Sequence, residues 1–312
     1  MLSRVAENLF WVGRNVERSL YICRLLDATY QVQLGEESQS ANGLADGPDL
    51  LPVLRILGLP HDTPVGSNRL MKQLRKMTFG RSGEHTVFTL IGQAKENTRA
   101  TQNVIGGDPF AQLNRLSHAI ARKRMLVRFA ESPSLVLNQI GRNCLLFFAL
   151  VDDSLPRSSP WHFMNLGRQV ESIGLTARIL YEGLVQVIDR EDQPGFVHWA
   201  WLLNSCSARD SFMSRHPGEI EPVNLVEQLL LTDEFPYSIR FRVIHAKSSL
   251  EAIKNDTSAE QSREIERMIG RLDGLLKYME AEEIFDEGLS DLLGEIQWTC
   301  DQISEQLYAS YF

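Results

Sequence analysis

Two short segments of this chain carry carboxylates and guanidinium groups at matched spacing. Gly13-Arg14-Asn15-Val16-Glu17-Arg18 returns about half a chain later as Gly167-Arg168-Gln169-Val170-Glu171-Ser172. Each copy reaches a further arginine two helical turns on, at Arg24 and Arg178, followed by an apolar pair, Leu25-Leu26 and Ile179-Leu180. A carboxylate whose pKa is raised by burial can serve as a general base. An arginine stays charged and grips a carboxylate through two parallel hydrogen bonds. The chemistry within reach is therefore acid–base work by Glu17 and Glu171. Arg14, Arg18, Arg24, Arg168 and Arg178 would then hold an anionic or amide-bearing substrate.

The helical wheel sorts these residues. With Leu9 at zero and ~100° per residue, Val16, Leu20 and Cys23 fall near zero, Arg24 near ~60° and Glu17 near ~80°. Asp27 falls on the apolar meridian, whereas Arg14 and Arg18 lie at ~140° and ~180°. Glu17, Arg24 and Asp27 are thus expected to face inward, with Arg14 and Arg18 on the flank. A buried carboxylate must be paired. The expected pairs are Glu17 with Arg24 and Glu171 with Arg178. Gly13 and Gly167 lack a side chain and would let another helix approach closely at that level, which offsets the helix propensity they cost. Two readings stay open: a cross-helix ion network that fixes register, or a polar cavity between two helical halves.

Other chemistry finds little support. No glutamate is followed by histidine three positions later, as a carboxylate-bridged di-metal bundle needs, and no metal site is expected. There is no Walker loop and no GxGxxG, so no nucleotide cofactor is expected. Cys23, Cys144, Cys206 and Cys300 are scattered and form no CxxC, which points to buried reduced thiols rather than zinc. Asp152-Asp153 sits at a helix C-terminus, where the dipole disfavours acids, and Arg157 is the nearest partner.

The elements that must position these groups read as helices almost throughout. Polar residues before proline mark several starts: Asp108-Pro109, Ser132-Pro133 and Ser159-Pro160, with Glu221-Pro222 and Phe235-Pro236 less well capped. Thr257-Ser258-Ala259-Glu260 has capping-box spacing. The pattern predicts helices over 2–34, 67–77, 86–104, 108–130, 133–154, 160–187, 196–215, 222–231, 236–254, 258–281 and 289–311. Gly35–Pro48 and Asp189–Gly195 read as loops. The expected fold is all-α: a multi-helix bundle of about ten or eleven helices in one domain over 1–312. Its two halves, about 1–154 and 155–312, are expected to be related by a pseudo-twofold.

Composition bounds the rest. The chain has 312 residues, 43% hydrophobic and 23% charged, with a formal net charge of −8. An acidic balance argues against a general nucleic-acid binder. Basic runs such as Lys72–Arg81 and Arg122–Arg128 read as solvated helix faces. The longest apolar run, Cys144–Val151, is far short of the ~20 residues of a membrane span, and no signal-peptide shape opens the chain. No membrane partner is expected, and a cytoplasmic setting is.

The run Met1-Leu2-Ser3-Arg4-Val5-Ala6-Glu7-Asn8-Leu9-Phe10-Trp11, with Gly13-Arg14 and Glu17-Arg18, resembles the bacterial alpha-E family, all-helical domains with a Glu-Arg motif. Ala94-Lys95-Glu96-Asn97, the second Gly-Arg-x-Val-Glu copy, and Phe235-Pro236 with Ser238-Ile239-Arg240-Phe241 extend the likeness over nearly the whole chain. Departures are Ser172 after Glu171, Lys95 in place of arginine, and Tyr237 between Pro236 and Ser238. The resemblance implies association with circularly permuted ATP-grasp proteins, often alongside transglutaminase-like peptidases, in ATP-dependent peptide or amide ligation. It adds Glu96 and Asn97 to the candidate substrate-binding residues. The expected role is a non-catalytic partner subunit that docks the ligase and holds a peptide or amino acid. The alternatives are an enzyme in its own right using Glu17 and Glu171, a transferase or amide hydrolase, and a purely structural bundle.

Overall fold

The computed structural model describes residues 3–39, 50–59, 67–82, 85–185, 195–218, 220–255, 263–286 and 288–311. Within them the chain forms helices and no strand. In chain order these are α1 (Ser3–Gln39), α2 (Leu51–Ile56), α3 (Ser67–Phe79), α4 (Val87–Ala100), α5 (Gln102–Ile105), α6 (Gly107–Ala121), α7 (Lys123–Glu131), α8 (Pro133–Ser154) and α9 (Ser159–Leu180). They continue with α10 (Phe196–Ser205), α11 (Arg209–Arg215), α12 (Pro222–Val226), α13 (Ile239–Asn255), α14 (Arg263–Tyr278), α15 (Ala281–Asp286) and α16 (Leu289–Tyr311). Helices α9 and α12 each end in a π-helical turn, Tyr181–Val185 and Glu227–Leu231.

Helices α1 and α9 are the two axles of the molecule. Both are buried nearly all round, as helices enclosed by others are. On α1, Leu9, Val12, Val16, Ile22, Leu25 and Leu26 are fully buried. Helix α1 packs on α4 and α8, and α6 closes the ring by touching α4 and α8. Helix α9 packs on α13 and α16, and α14 closes its ring by touching those two. The rings meet where α1 lies against α9, and one hydrophobic cluster runs from Ala6 to Tyr311.

The contact between the axles is backbone to backbone. A Cβ added to Gly13 would sit 2.0 Å from the Met164 carbonyl oxygen, and one added to Gly167 would sit 2.1 Å from that of Phe10. Phe10 and Met164 are equivalent positions of the repeat, so the contact is reciprocal. The reciprocity belongs to α1 and α9; it does not extend a twofold to the surrounding helices.

Boundaries differ from the sequence reading for local reasons. Helices 133–154 and 289–311 fall where the pattern puts them. The 108–130 helix breaks at Arg122, which is extended and separates α6 from α7. Its start is also shifted: Asp108 lies inside the first turn, and the N-cap is Gly106 at φ 88. The 196–215 helix breaks between Ser205 and Arg209, where Ser207 takes φ 51. The short α2 escaped the reading because its apolar run is too brief to show a period. Gly35 continues α1 rather than opening a loop. Residues 40–48, 189–194 and the Thr257–Glu260 box lie outside the described residues. Helix α8 has 22 residues, and an 18-residue stretch of it has a mean hydropathy of 1.4, enough by length and composition to cross a membrane. The run-length count missed this because polar residues interrupt the helix. In the fold its Val136, Ile140, Cys144 and Phe147 are fully buried.

Gly13→Ala and Gly167→Ala should each destabilise the protein by about 1–3 kcal/mol or more, because the opposing atoms are backbone and cannot turn aside. Gly270→Ala in α14 has open space around its Cβ and should stabilise by roughly 0.5–1 kcal/mol. Urea midpoints for the three variants decide this, and equal stability of Gly13→Ala and Gly270→Ala would refute the close approach.

Candidate functional site

The glycine contact fixes the level at which polar side chains meet. One turn beyond each glycine, the carboxylate of each helix meets the arginine of the other. Arg14 Nε donates to Glu171 Oε2 at 2.8 Å, and Arg168 Nε donates to Glu17 Oε2 at 3.3 Å. These are the same pair exchanged between the repeats. Arg14 and Arg168 lie only partly buried, while Glu17 and Glu171 are 0% and 3% exposed.

Each glutamate then takes a second arginine, from different places. Glu171 Oε1 accepts from Arg18 Nε at 2.5 Å. The position equivalent to Arg18 is Ser172, too short to repeat the bond, and its hydroxyl instead meets the Tyr21 hydroxyl at 2.8 Å. The second cation for Glu17 is Arg242 of α13, whose Nη2 lies 3.5 Å from Glu17 Oε1. Arg242 is itself buried and donates Nη1 to Gln169 Oε1 at 2.9 Å. Glu17 Oε1 has no hydrogen bond of good geometry, so Arg242 holds it mainly by charge. Arg242 was not among the sequence candidates. It stands three residues after Ile239 and four before Ala246, both buried, so α13's own apolar stripe would have turned it inward.

The electrostatics follow from this enclosure. Burial pushes the Glu171 carboxyl upward, but the charges and hydrogen bonds of Arg18 and Arg14 outweigh it and hold the pKa at about 2. Burial lowers the pKa of Arg242, and Glu17 opposes that shift. Tyr21 is raised to about 12 by burial. The thiols of Cys144, Cys206 and Cys300 are likewise raised to about 12, which makes them poor nucleophiles.

The remaining candidates go elsewhere. Arg24 does not pair with Glu17. Residues two turns apart are ~10 Å apart along a helix axis, beyond the span of neighbouring side chains. Arg24 Nη2 donates to the Tyr237 hydroxyl at 2.6 Å, with its guanidinium 4.2 Å from that ring's centre. Arg178 likewise leaves Glu171 and lies 3.8 Å from Asp301 of α16. Glu96 is half-exposed on α4 and pairs with its neighbours Lys95 and Arg99. The Asn97 carbonyl accepts from Thr101; neither residue has a polar contact with the crossed pairs. Asp152 takes Arg157, as its helix-end position demanded, and also the Trp161 indole. Among the described residues no group of three or more His, Cys, Asp or Glu could hold a metal ion.

A family model described as a predicted alpha-helical domain with a conserved ER motif matches residues 1–312. The chain belongs to the Alpha-E family. No curated protein and no solved structure matches it. In this Alpha-E chain Glu17-Arg18 matches that motif, and its two residues point across the same interface in different roles. Glu17 receives cations from α9 and α13, and Arg18 delivers one to α9.

The arrangement holds charge; it does not offer it. A general base needs a raised pKa and access to a substrate proton, and Glu171 has neither.

The depressed pKa of Glu171 makes stability pH-dependent. Its contribution is present above the ordinary value of 4.5 and is lost as pH falls toward about 2. Unfolding free energy should therefore fall over that window, and Glu171→Gln should flatten the slope; an unchanged slope would mean the carboxylate is not so held. Glu17→Ala strands Arg242 in the core and should cost about 3–5 kcal/mol, read from denaturant unfolding, with Glu17→Ala/Arg242→Met recovering part of the loss.

Proposed function

We propose that this Alpha-E protein is a non-catalytic partner subunit of an ATP-dependent peptide or amide ligase. It docks a circularly permuted ATP-grasp protein and works in the cytoplasm. The observation that carries this reading is the charge pairing of both candidate catalytic glutamates: each is buried and each faces two arginines. Such a centre gives a rigid body. It does not give an acid, a base or a nucleophile. The Glu-Arg motif then serves to hold a surface in shape for a partner that brings the ATP chemistry. The family resemblance supplies the partner class, with a transglutaminase-like peptidase as a second member of the same system.

The enzyme reading is weakened by the same geometry. A hydrolase or transferase built on Glu17 and Glu171 wants a water-filled cavity touching both, and these carboxylates meet arginines instead.

The isolated protein should bind no ATP and should form a complex with the ATP-grasp protein at micromolar concentration. Size-exclusion chromatography with both partners folded checks this, together with ADP release against a panel of amino acids and peptides. Two separate peaks and an unaltered rate of ADP release would exclude the partner role.

A further inference from the structure

A cleft of about 610 Å³ runs beside α1, between α8 and the α10–α11 corner. Its inner wall is apolar and buried, with Leu20, Cys23, Leu137 and Gly141. Its rim carries exposed Arg142, Arg209 and Asp210, and Arg24 and Asp27 stand between wall and rim. Helix α1 has thus placed a cation and an anion one turn apart in the same cleft.

Each of these two is tied at one atom and unpartnered at another. Arg24 is anchored through Nη2 to Tyr237, and its Nη1 is buried without a hydrogen-bond partner. Asp27 accepts from Asn138 through Oδ2, and its Oδ1 is buried without a partner. They do not pair with each other, although opposite charges three residues apart on a helix commonly do. Leaving a buried charged atom unpaired is costly, and such atoms in a concave site ask for a ligand group. The corner that closes the cleft adds an independent sign. Ser207, which lines it, has φ 51, a left-handed conformation disfavoured for serine; retained strain of this kind gathers at ligand sites. That corner hangs Arg209 and Asp210 over the opening.

We propose that this cleft binds a small zwitterion with a surplus of carboxylate, namely an acidic amino acid or a short peptide ending in one. Asp27 takes the ammonium group, Arg24 takes one carboxylate after a small turn of its guanidinium about the Tyr237 bond, and Arg142 or Arg209 takes the other. Three arginines face two aspartates on the lining, a surplus of one positive charge, so a ligand with two carboxylates and one ammonium is complementary to the site in net charge. The cleft volume suits a molecule of this size with room for a second residue. It rests on the partner role proposed above and adds substrate holding to it, and it is testable on the isolated chain without the ligase.

The test titrates the wild-type protein with L-glutamate by calorimetry and by NMR of the ligand, with glutarate and butylamine as probes of one pole each. L-glutamate should bind and both controls should bind at least about tenfold more weakly, since glutarate loses the ammonium contact and butylamine loses both carboxylate contacts. Asp27→Asn and Arg142→Gln/Arg209→Gln should each weaken L-glutamate by about tenfold or more with unchanged melting temperature. Glutarate binding as well as glutamate would overturn the zwitterion assignment, and so would insensitivity to the rim variants. No saturation by L-glutamate up to about 10 mM would overturn the site. A complex with the ligase that forms normally while these titrations stay flat leaves docking intact and removes only the cleft proposal, whereas binding without a complex does the reverse.

Discussion

The structure depends on one close approach. Helices α1 and α9 touch through their backbones at Gly13 and Gly167, where no side chain fits between them. Everything polar at the centre follows from that distance. With the axes this near, a glutamate one turn on reaches across only far enough to meet an arginine from the other helix. The same nearness excludes water, which strengthens each charge pair and also makes any unpaired charge intolerable. The glycines and the Glu-Arg motif are therefore one device.

The network is weak evidence for stability by itself. Desolvating Glu17, Glu171 and Arg242 costs several kcal/mol each, and a well-packed apolar centre of equal volume can match it. What the charges add is a penalty for the wrong arrangement. Sliding α9 by one turn along α1 would move the helix ~5.4 Å and separate Glu17 from Arg168 and Arg14 from Glu171 at once. An apolar seam would accept such a shift at the cost of some packing. Helix α1, buried on nearly every side, has many apolar ways to pack and needs such a register pin.

Much of this was legible in the sequence, and the parts that were not have a common cause. The repeat was visible, the inward glutamates followed from the wheel, and the glycines announced a close helix. Helices α8 and α16 were bounded correctly because proline and a clean apolar period mark them. The partners of the glutamates were not legible. A wheel describes one helix and says nothing of what crosses it, so Glu17 was assigned to Arg24 on its own helix when Arg168 and Arg242 arrive from outside. The same blindness placed Arg14 and Arg18 on the flank as holders of a substrate; they are the residues that reach over to Glu171. Breaks within helices, such as the turn at Ser207, were illegible because no glycine or proline marks them.

The departure at Ser172 shows how an imperfect repeat is kept electrically whole. Had Ser172 been arginine, an exchanged copy of Arg18 would have met Glu17, and its side chain would have run into the space now shared by Tyr21, Ser172 and Thr176. The chain instead draws the missing cation from α13, which brings a third helix into the pair and links the second ring to the α1–α9 contact. Arg242 also touches the Tyr237 ring, 4.9 Å from its centre, and Tyr237 in turn holds Arg24 at the edge of the cleft. A continuous set of contacts therefore runs from the buried Glu17 through Arg242 and Tyr237 to Arg24. The asymmetry that costs the motif its second copy is what connects the clamp to the cleft.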